Sequence, residues 1–287
     1  MTKRSIVFLG TASSIPNPQR FTQSIAICGS RDCILLDAGE GVQIRLASVG
    51  IDHRDVKIVA LSHIHGDHIY GVLPFIESLA MKISSQKNVS TTTLRIVAPK
   101  NVCRYLLNSI DVIKMGGMDK VLSLECIEAG FLSKEGLFVE SPNKDIAVYP
   151  VPVDHCLEEA YGYFVKIKLG KVELGVYYSG DGVCREQCLN ILKILKPSIV
   201  IHEATFLDYA DDEARAVESC HSTVSNAAQV ASNINAKVLI LTHISARYRG
   251  DELRDFISRA RKIFSGEVYI AQDLSKIPLD LINVAES

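Results

Sequence analysis

Short apolar, β-branched runs that stop at Gly, Pro, Asp or Asn constrain this chain more than anything else in it. "SIVFL" (5–9), "SIAIC" (24–28), "DCILLD" (32–37), "VKIVAL" (56–61), "LRIVA" (94–98), "IAVYPVPV" (146–153), "GYFVKIKL" (162–169), "VELGVYY" (172–178), "PSIVIH" (197–202), "AKVLILT" (236–242) and "EVYIA" (267–271) have the length and composition of strands. Between several of them the apolar period becomes helical. Ile69, Val72, Leu73, Ile76, Leu79, Ala80 and Ile83 share one helical face, as do Val224, Ala227, Ala228, Ala231 and Ile234 within 222–234. Leu253, Phe256, Ile257, Ala260 and Ile263 do the same within 251–264. Strands dominate the first 40 residues and the interval 121–178, and elsewhere they alternate with helices. The pattern predicts an α/β fold of four layers, two sheets face to face with helices outside, an αββα sandwich. No Pro/Gly/Ser linker, low-complexity tract or short-period repeat divides the chain, so residues 1–287 read as one domain. "KISSQKNVSTTT" (82–93) reads as a surface loop.

Several strands carry a metal-ligating side chain at or just past their C-terminal end. After "VKIVAL" comes "SHIHGDH" (62–68), which places His63, His65, Asp67 and His68 within six positions and uses three of the chain's eight histidines. His155 ends the strand at 146–153, Asp181 follows 172–178, and His243 ends 236–242. Strand ends that converge on one edge of a sandwich bring such groups together. Neutral imidazoles and carboxylates suit zinc or a similar divalent ion. A chance cluster in a turn accounts poorly for four such groups in six positions.

With those residues in view, the chain resembles the metallo-β-lactamase superfamily, and within it the ribonuclease Z-like branch of tRNA 3′-processing endonucleases. "FLGTASS" (8–14), "ILLDAGEG" (34–41), "SHIHGDH", His155, "SGD" (179–181), "HEATF" (202–206), "CHST" (220–223) and "THISARY" (242–248) occur in the family's order along nearly the whole chain. His-x-His-x-Asp-His is shared across the superfamily, whereas "HEATF", "HST" and "THISARY" are specific to this branch. The resemblance implies the metallo-β-lactamase type of sandwich and two Zn2+ per chain, with Mn2+ or Fe2+ as alternatives on the same N/O ligands. It implies that His63, His65 and His155 hold one ion, that Asp67, His68 and His243 hold the other, and that Asp181 bridges them. Two such cations clamp a phosphate and acidify a shared water to hydroxide, and Asp67 is the expected acceptor of the water's proton. His221 and Glu203 match the family's second catalytic pair, the carboxylate orienting the imidazole toward the scissile phosphate. Asp37 matches a residue that fixes the ligating histidines, and Arg20 and Arg247 are candidates for substrate contact. His53 and His202 read as structural or exposed.

The implied activity is a dinuclear zinc phosphodiesterase, with endonucleolytic removal of 3′ trailers from tRNA precursors as the expected reaction and a homodimer as the expected assembly. The alternative is a small-substrate phosphodiesterase, opening cyclic nucleotides or cyclic phosphates on the same site; other hydrolyses of this fold come third. Two departures bear on the choice. Family members that process tRNA carry a long arm between the positions of His155 and Asp181, whereas here the 25 residues 156–180 allow only a hairpin. The family's Pro-x-Lys-x-Arg-Asn loop reads "PNPQRF" (16–21), which keeps Pro16 and Arg20 and loses the lysine and the asparagine. A catalytically silent RNA-binding relative should lack ligands, and all seven positions are filled.

Charge and cysteines complete the expectations. A net charge of −2 supplies no global attraction for nucleic acid, and the basic residues of 244–264 are interleaved with acids, as on a solvated helix face. The N-terminus lacks the apolar core of a signal peptide, and no run has the length of a membrane span. The eight cysteines form no CxxC pair, so they read as reduced thiols in a cytoplasmic protein.

Overall fold

The computed structural model describes residues 4–86, 90–113, 118–157 and 159–281. The first sheet is built from β1 (Ser5–Gly10), β2 (Ser24–Cys28), β3 (Cys33–Leu36), β4 (Val56–Ala60), β5 (Thr92–Ala98) and β6 (Leu122–Glu128). The second takes β7 (Val139–Glu140), β8 (Ile146–Pro152), β9 (Tyr161–Leu169), β10 (Val172–Tyr178), β11 (Ile199–Glu203), β12 (Val238–Thr242) and β13 (Glu267–Ile270). The chain then returns to the first sheet as β14 (Lys276–Pro278), giving the orders β14-β1-β2-β3-β4-β5-β6 and β13-β12-β11-β10-β9-β8-β7. β1 to β3 pair antiparallel and β3 to β6 parallel; the second sheet repeats this, antiparallel from β7 to β10 and parallel from β10 to β13.

The α-helices among the described residues are α1 (Val42–Ser48), α2 (Gly66–Ile69), α3 (Val72–Ser84), α4 (Lys100–Ile113), α5 (Ala129–Glu135), α6 (Glu186–Leu195), α7 (Ala210–Ser219), α8 (Val224–Asn233) and α9 (Glu252–Ile263). The side-chain alternation of the strands explains the layering. Ile6, Phe8, Ile25, Ile27, Ile34 and Leu36 point between the sheets, toward Tyr163, Val165, Val176 and Ile201. Their neighbours Val7, Leu9, Ala26 and Leu35 point the other way, onto Val42, Leu46, Phe75 and Ile76 of α1 and α3. On the far side Val200, Leu239 and Leu241 pack against Leu192, Ala227, Ala231 and Phe256 of α6, α8 and α9. Strands apolar on both faces must lie between two layers, which is why these runs read as continuously hydrophobic. Each fully buried Ile, Leu or Phe contributes roughly 1.5–3 kcal/mol. A one-residue slip would turn every one of them to the wrong layer, so the register is firmly specified.

The four-layer αββα sandwich is thus what the sequence patterning foretold, with local differences. Of the expected loop 82–93, α3 continues through Ser84 and β5 begins at Thr92, while 87–89 lie outside the described residues. The strand-rich interval 121–178 contains α5. Between His155 and Asp181 the described chain is the β9–β10 hairpin.

The cysteine expectation is corrected. All eight are paired, as Cys28–Cys33, Cys103–Cys126, Cys156–Cys220 and Cys184–Cys188. The absence of CxxC misled the expectation: Cys28–Cys33 and Cys184–Cys188 pair at separations of 5 and 4, the former as register partners on β2 and β3, while Cys103 of α4 and Cys126 of β6, and Cys156 and Cys220, meet only through the fold. The expectation of a cytoplasmic protein loses its cysteine argument. No helix among the described residues is long and apolar enough to cross a membrane.

Candidate metal centre

The C-terminal ends of β3, β4, β8, β10, β11 and β12 meet at one edge of the sandwich. From them come Asp37, then His63 to His68, then His155, Asp181, Glu203 and His243. The seven proposed ligands fall into two adjoining groups: His63, His65 and His155, and Asp67, His68, Asp181 and His243. Asp181 Oδ2 lies 3.1 Å from His68 Nε2, 3.2 Å from His243 Nε2 and 3.8 Å from His63 Nε2, between the two groups.

Buried partners orient the ligands. Asp37 is fully buried. One of its oxygens accepts from the Ser62 amide (2.7 Å), the other from the Ser62 hydroxyl (2.8 Å), the Tyr178 hydroxyl (2.6 Å) and His68 Nδ1 (2.7 Å). That bond turns His68 Nε2 to the cluster. His243 Nδ1 donates to the Thr205 hydroxyl (3.0 Å), and His155 Nδ1 donates to the Cys220 carbonyl (3.0 Å). A ring whose Nδ1–H is committed in this way presents an unprotonated Nε2 to a cation. Tyr178 reaches Asp37 from the second sheet, and the Tyr163 hydroxyl reaches the Leu61 carbonyl (2.6 Å), so the two sheets are tied at the site. Asp37 and His243 hold φ values of 54° and 55°, a left-handed conformation that costs energy and persists where the surroundings enforce it.

The donor set fits divalent cations. His65 Nδ1 faces His155 Nε2 at 3.3 Å, and His68 Nε2 faces His243 Nε2 at 3.3 Å. Buried His63 Nε2 and Asp181 Oδ1 have no hydrogen-bond partner. Lone pairs aimed at one another and orphaned buried atoms are unfavourable unless a cation lies between them. The electrostatics agree. Burial lowers His63, His65 and His155, which keeps them neutral and able to ligate. Burial also opposes charge on His68, but Asp181, Asp37 and Asp67 outweigh it and raise its pKa well above the ordinary range. The carboxylates therefore demand positive charge at this place. Burial pushes Asp67 up, His68 and His243 outweigh it, and Asp67 is left ionised with a pKa of about 2.

Next to both groups lies a third arrangement. Glu203 Oε1 accepts from the amides of Gly182 (3.0 Å) and Ser222 (2.7 Å) and from His221 Nδ1 (3.1 Å), while Oε2 accepts from the amide and hydroxyl of Thr205 (3.0 and 2.8 Å). The buried carboxylate is fully satisfied and sits at the start of α8, where an anion is favoured. Burial lowers His221, but the charge and hydrogen bond of Glu203, with Asp181, prevail and push it up to about 9. The His221 ring packs against those of His155 and His243, at centroid distances of 4.8 and 5.4 Å. Gly182 has φ 122°, and a Cβ there would come within 2.5 Å of the Asp154 carbonyl, so only glycine delivers this amide.

The remaining candidates divide. The Arg20 guanidinium is directed at the Thr11 hydroxyl (2.9 Å) and the Ala271 carbonyl (3.2 Å), away from the ligands. Arg247 is exposed; it stacks on Phe206 at 5.0 Å and pairs with Asp212 at 3.2 Å, and Phe206 in turn packs against His221. His53 and His202 are buried, bonded to the carbonyls of Gln43 and Glu203. Sequence reasoning assigned no role to Thr205 or Tyr178. Thr205 stood inside the quoted "HEATF", whereas nothing local marks Tyr178. A cavity of about 400 Å3 adjoins His221, lined among others by Asp154, Arg185, Thr223 and Asn226.

Comparison with known proteins places this site in context. The family model of the anti-Pycsar protein Apyc1 matches residues 4–261. Ribonuclease Z from Bacillus cereus (strain AH820) is 28% identical, over 96% of this chain and 99% of its own length. That match extends over 318 positions against 287 residues here, so at least 31 have no counterpart in this chain. Among solved structures, the short form of human tRNase Z superposes with a TM-score of 0.73 at 22% identity, covering 95% of this chain and 98% of its own. The metallo-β-lactamase fold protein YhfI from Bacillus subtilis gives 0.75 at 19% identity, covering 96% and 99%.

Proposed function

This chain belongs to the family of the anti-Pycsar protein Apyc1, within the ribonuclease Z-like branch of the metallo-β-lactamase superfamily, and we propose that it hydrolyses small phosphodiesters, cyclic nucleotides foremost, at two divalent ions. It is a metal-dependent hydrolase of the nuclease and phosphodiesterase class. The observation that carries the substrate assignment is the bare β9–β10 hairpin between His155 and Asp181, in place of an arm that would grip a large RNA. The cavity beside His221, about 400 Å3, is of the size that encloses a small ligand.

His63, His65 and His155 would hold one ion and Asp67, His68 and His243 the other, with Asp181 between the two groups; zinc is the ion we assign. Bound there, the ions neutralise phosphate charge and acidify water. The chain's own residues do the rest. Asp67, ionised at neutral pH, accepts the proton of the attacking water. His221 is protonated at neutral pH, with Nδ1–H committed to Glu203, so its other N–H serves the substrate. It stabilises charge on the phosphate and protonates the departing oxygen as one P–O bond breaks. Glu203 holds the ring in place.

A second reading, removal of 3′ trailers from tRNA precursors, is favoured by the 28% identity to ribonuclease Z along nearly the whole chain. The expected assembly is a homodimer. Zinc- or manganese-loaded protein incubated with a cyclic-nucleotide panel and, separately, with a tRNA precursor decides between the substrates, with His65→Ala as control. We expect ring opening of cyclic nucleotides and an intact precursor. Cleavage of the precursor with the cyclic nucleotides untouched overturns the assignment.

A further inference from the structure

Cys156 follows the ligand His155, and Cys220 precedes His221. The structure joins their sulphurs across a separation of 64 residues. Both cysteines hold left-handed backbone, φ 42° and 51°, which L residues adopt only where the surroundings over-determine it. The Cys220 carbonyl is also the acceptor that fixes His155 Nδ1. One short cross-link therefore sets the orientation of a proposed ligand of the ion assigned to His63, His65 and His155, here called the outer ion, and the start of the segment that carries His221. The His155 and His221 rings are in contact beside it.

Of the eight cysteines only Cys156 is exposed, which separates this bond from the other three, although Cys103 and Cys126 also line a cavity, of about 460 Å3. Cys156 is exposed and Cys220 half-buried, and both line a cavity of about 390 Å3 that also contains His155. Cys28–Cys33 and Cys184–Cys188 are buried at both sulphurs, and Cys103–Cys126 at one. Thiol–disulfide exchange requires access for the attacking thiolate.

We propose that Cys156–Cys220 is a positioning clamp between His155 and the His221–Glu203 pair, and that a dithiol reductant opens it selectively, loosening the outer ion and lowering turnover. This rests on the ligand assignment made above. In the exchange, one thiolate of the reductant attacks a sulphur of the bond and forms a mixed disulfide, and the other cysteine leaves as a thiolate. The second thiol of the reductant then displaces the remaining cysteine. Two electrons pass to the protein, and the reductant departs as its own disulfide.

The test uses oxidised and dithiothreitol-treated protein, desalted before assay, with Cys156→Ser/Cys220→Ser and Cys184→Ser/Cys188→Ser variants beside it. Alkylation and mass spectrometry identify which bond has opened, ion release to a chelator reports the site, and bis(p-nitrophenyl) phosphate reports turnover of a generic diester. We expect Cys156 and Cys220 to alkylate first. With them, kcat should fall and release of one ion should accelerate, each about tenfold or more, the scale on which an oriented ligand loses its support. The Cys156→Ser/Cys220→Ser variant should sit at the reduced level and ignore dithiothreitol, while Cys184→Ser/Cys188→Ser should still respond. Unchanged ion release and turnover with the bond demonstrably open overturns the clamp, as does a Cys156→Ser/Cys220→Ser variant that still responds. The wild-type comparison needs no mutant to fold. If cyclic nucleotides prove not to be substrates, ion release and alkylation still read the clamp.

Discussion

The two proposed ligand groups of this site are built differently. His68, Asp181 and His243 are buried and Asp67 half-buried, and the imidazoles among them are braced by Asp37 and Thr205, side chains that the sandwich itself buries. Of His63, His65 and His155, His63 is fully buried and only His65 is exposed, and His155 takes its orientation from the main-chain carbonyl of Cys220. The imidazoles of the first, inner group are braced by side chains buried in the sandwich, whereas in the second, outer group His155 depends on a connecting segment. A ligand held by buried carboxylates survives local motion, whereas one held by a loop carbonyl moves with the loop.

The most severe way to break the contrast is to remove the residue common to both groups. Asp181→Ala should strip both ions and lower kcat/KM by on the order of 10^4-fold, about 5 kcal/mol. Elemental analysis after dialysis should find neither group occupied, and one retained ion would deny the bridging role.

Asp37→Ala should sharpen the contrast, since Asp37 holds His68 directly and reaches His63 only through the Ser62 hydroxyl. It orphans the buried donors of Ser62, Tyr178 and His68. The expected cost is on the order of 4 kcal/mol of stability, with about 10–100-fold weaker binding of one ion. Thermal melts and metal titration read both, and equal weakening of the two ions would contradict the division.

The smallest effect concerns His221, which touches both groups. Its folded pKa is raised to about 9 from an ordinary 6.5. A raised histidine contributes stability that is fully present below about 6.5 and lost as pH rises through about 9. In metal-free protein, NMR should place its titration near 9, and Glu203→Gln should return it toward the ordinary value. Melts of the two proteins should then differ by about 3 kcal/mol more at pH 6 than above pH 9, where only the pH-independent cost of the lost acceptor remains. A His221 midpoint unaltered by Glu203→Gln would remove Glu203 from its role.

Much of this was legible in the chain. "SHIHGDH" announces a metal site because four ligands in six positions need no fold to bring them near one another. His155, Asp181 and His243 were legible through their placement after apolar runs, since parallel strands end on a common edge. His221 and Glu203 were legible through resemblance, and the structure places them 3.1 Å apart. The cysteines were misread, because partners such as Cys156 and Cys220, 64 positions apart, leave no mark in local spacing.

By itself, then, the sequence determined the layers and the chemistry of the ligands. Apolar periodicity dictates which face of a strand or helix is buried, and side-chain type dictates what a group can bind. Only the tertiary structure decided which buried hydroxyl braces which imidazole, that Tyr178 crosses from one sheet to Asp37 in the other, and that a disulfide ties His155 to the His221 segment. Those contacts depend on strand order and sheet stacking, which are set by the packing of the whole chain and leave no periodicity in any one stretch of it.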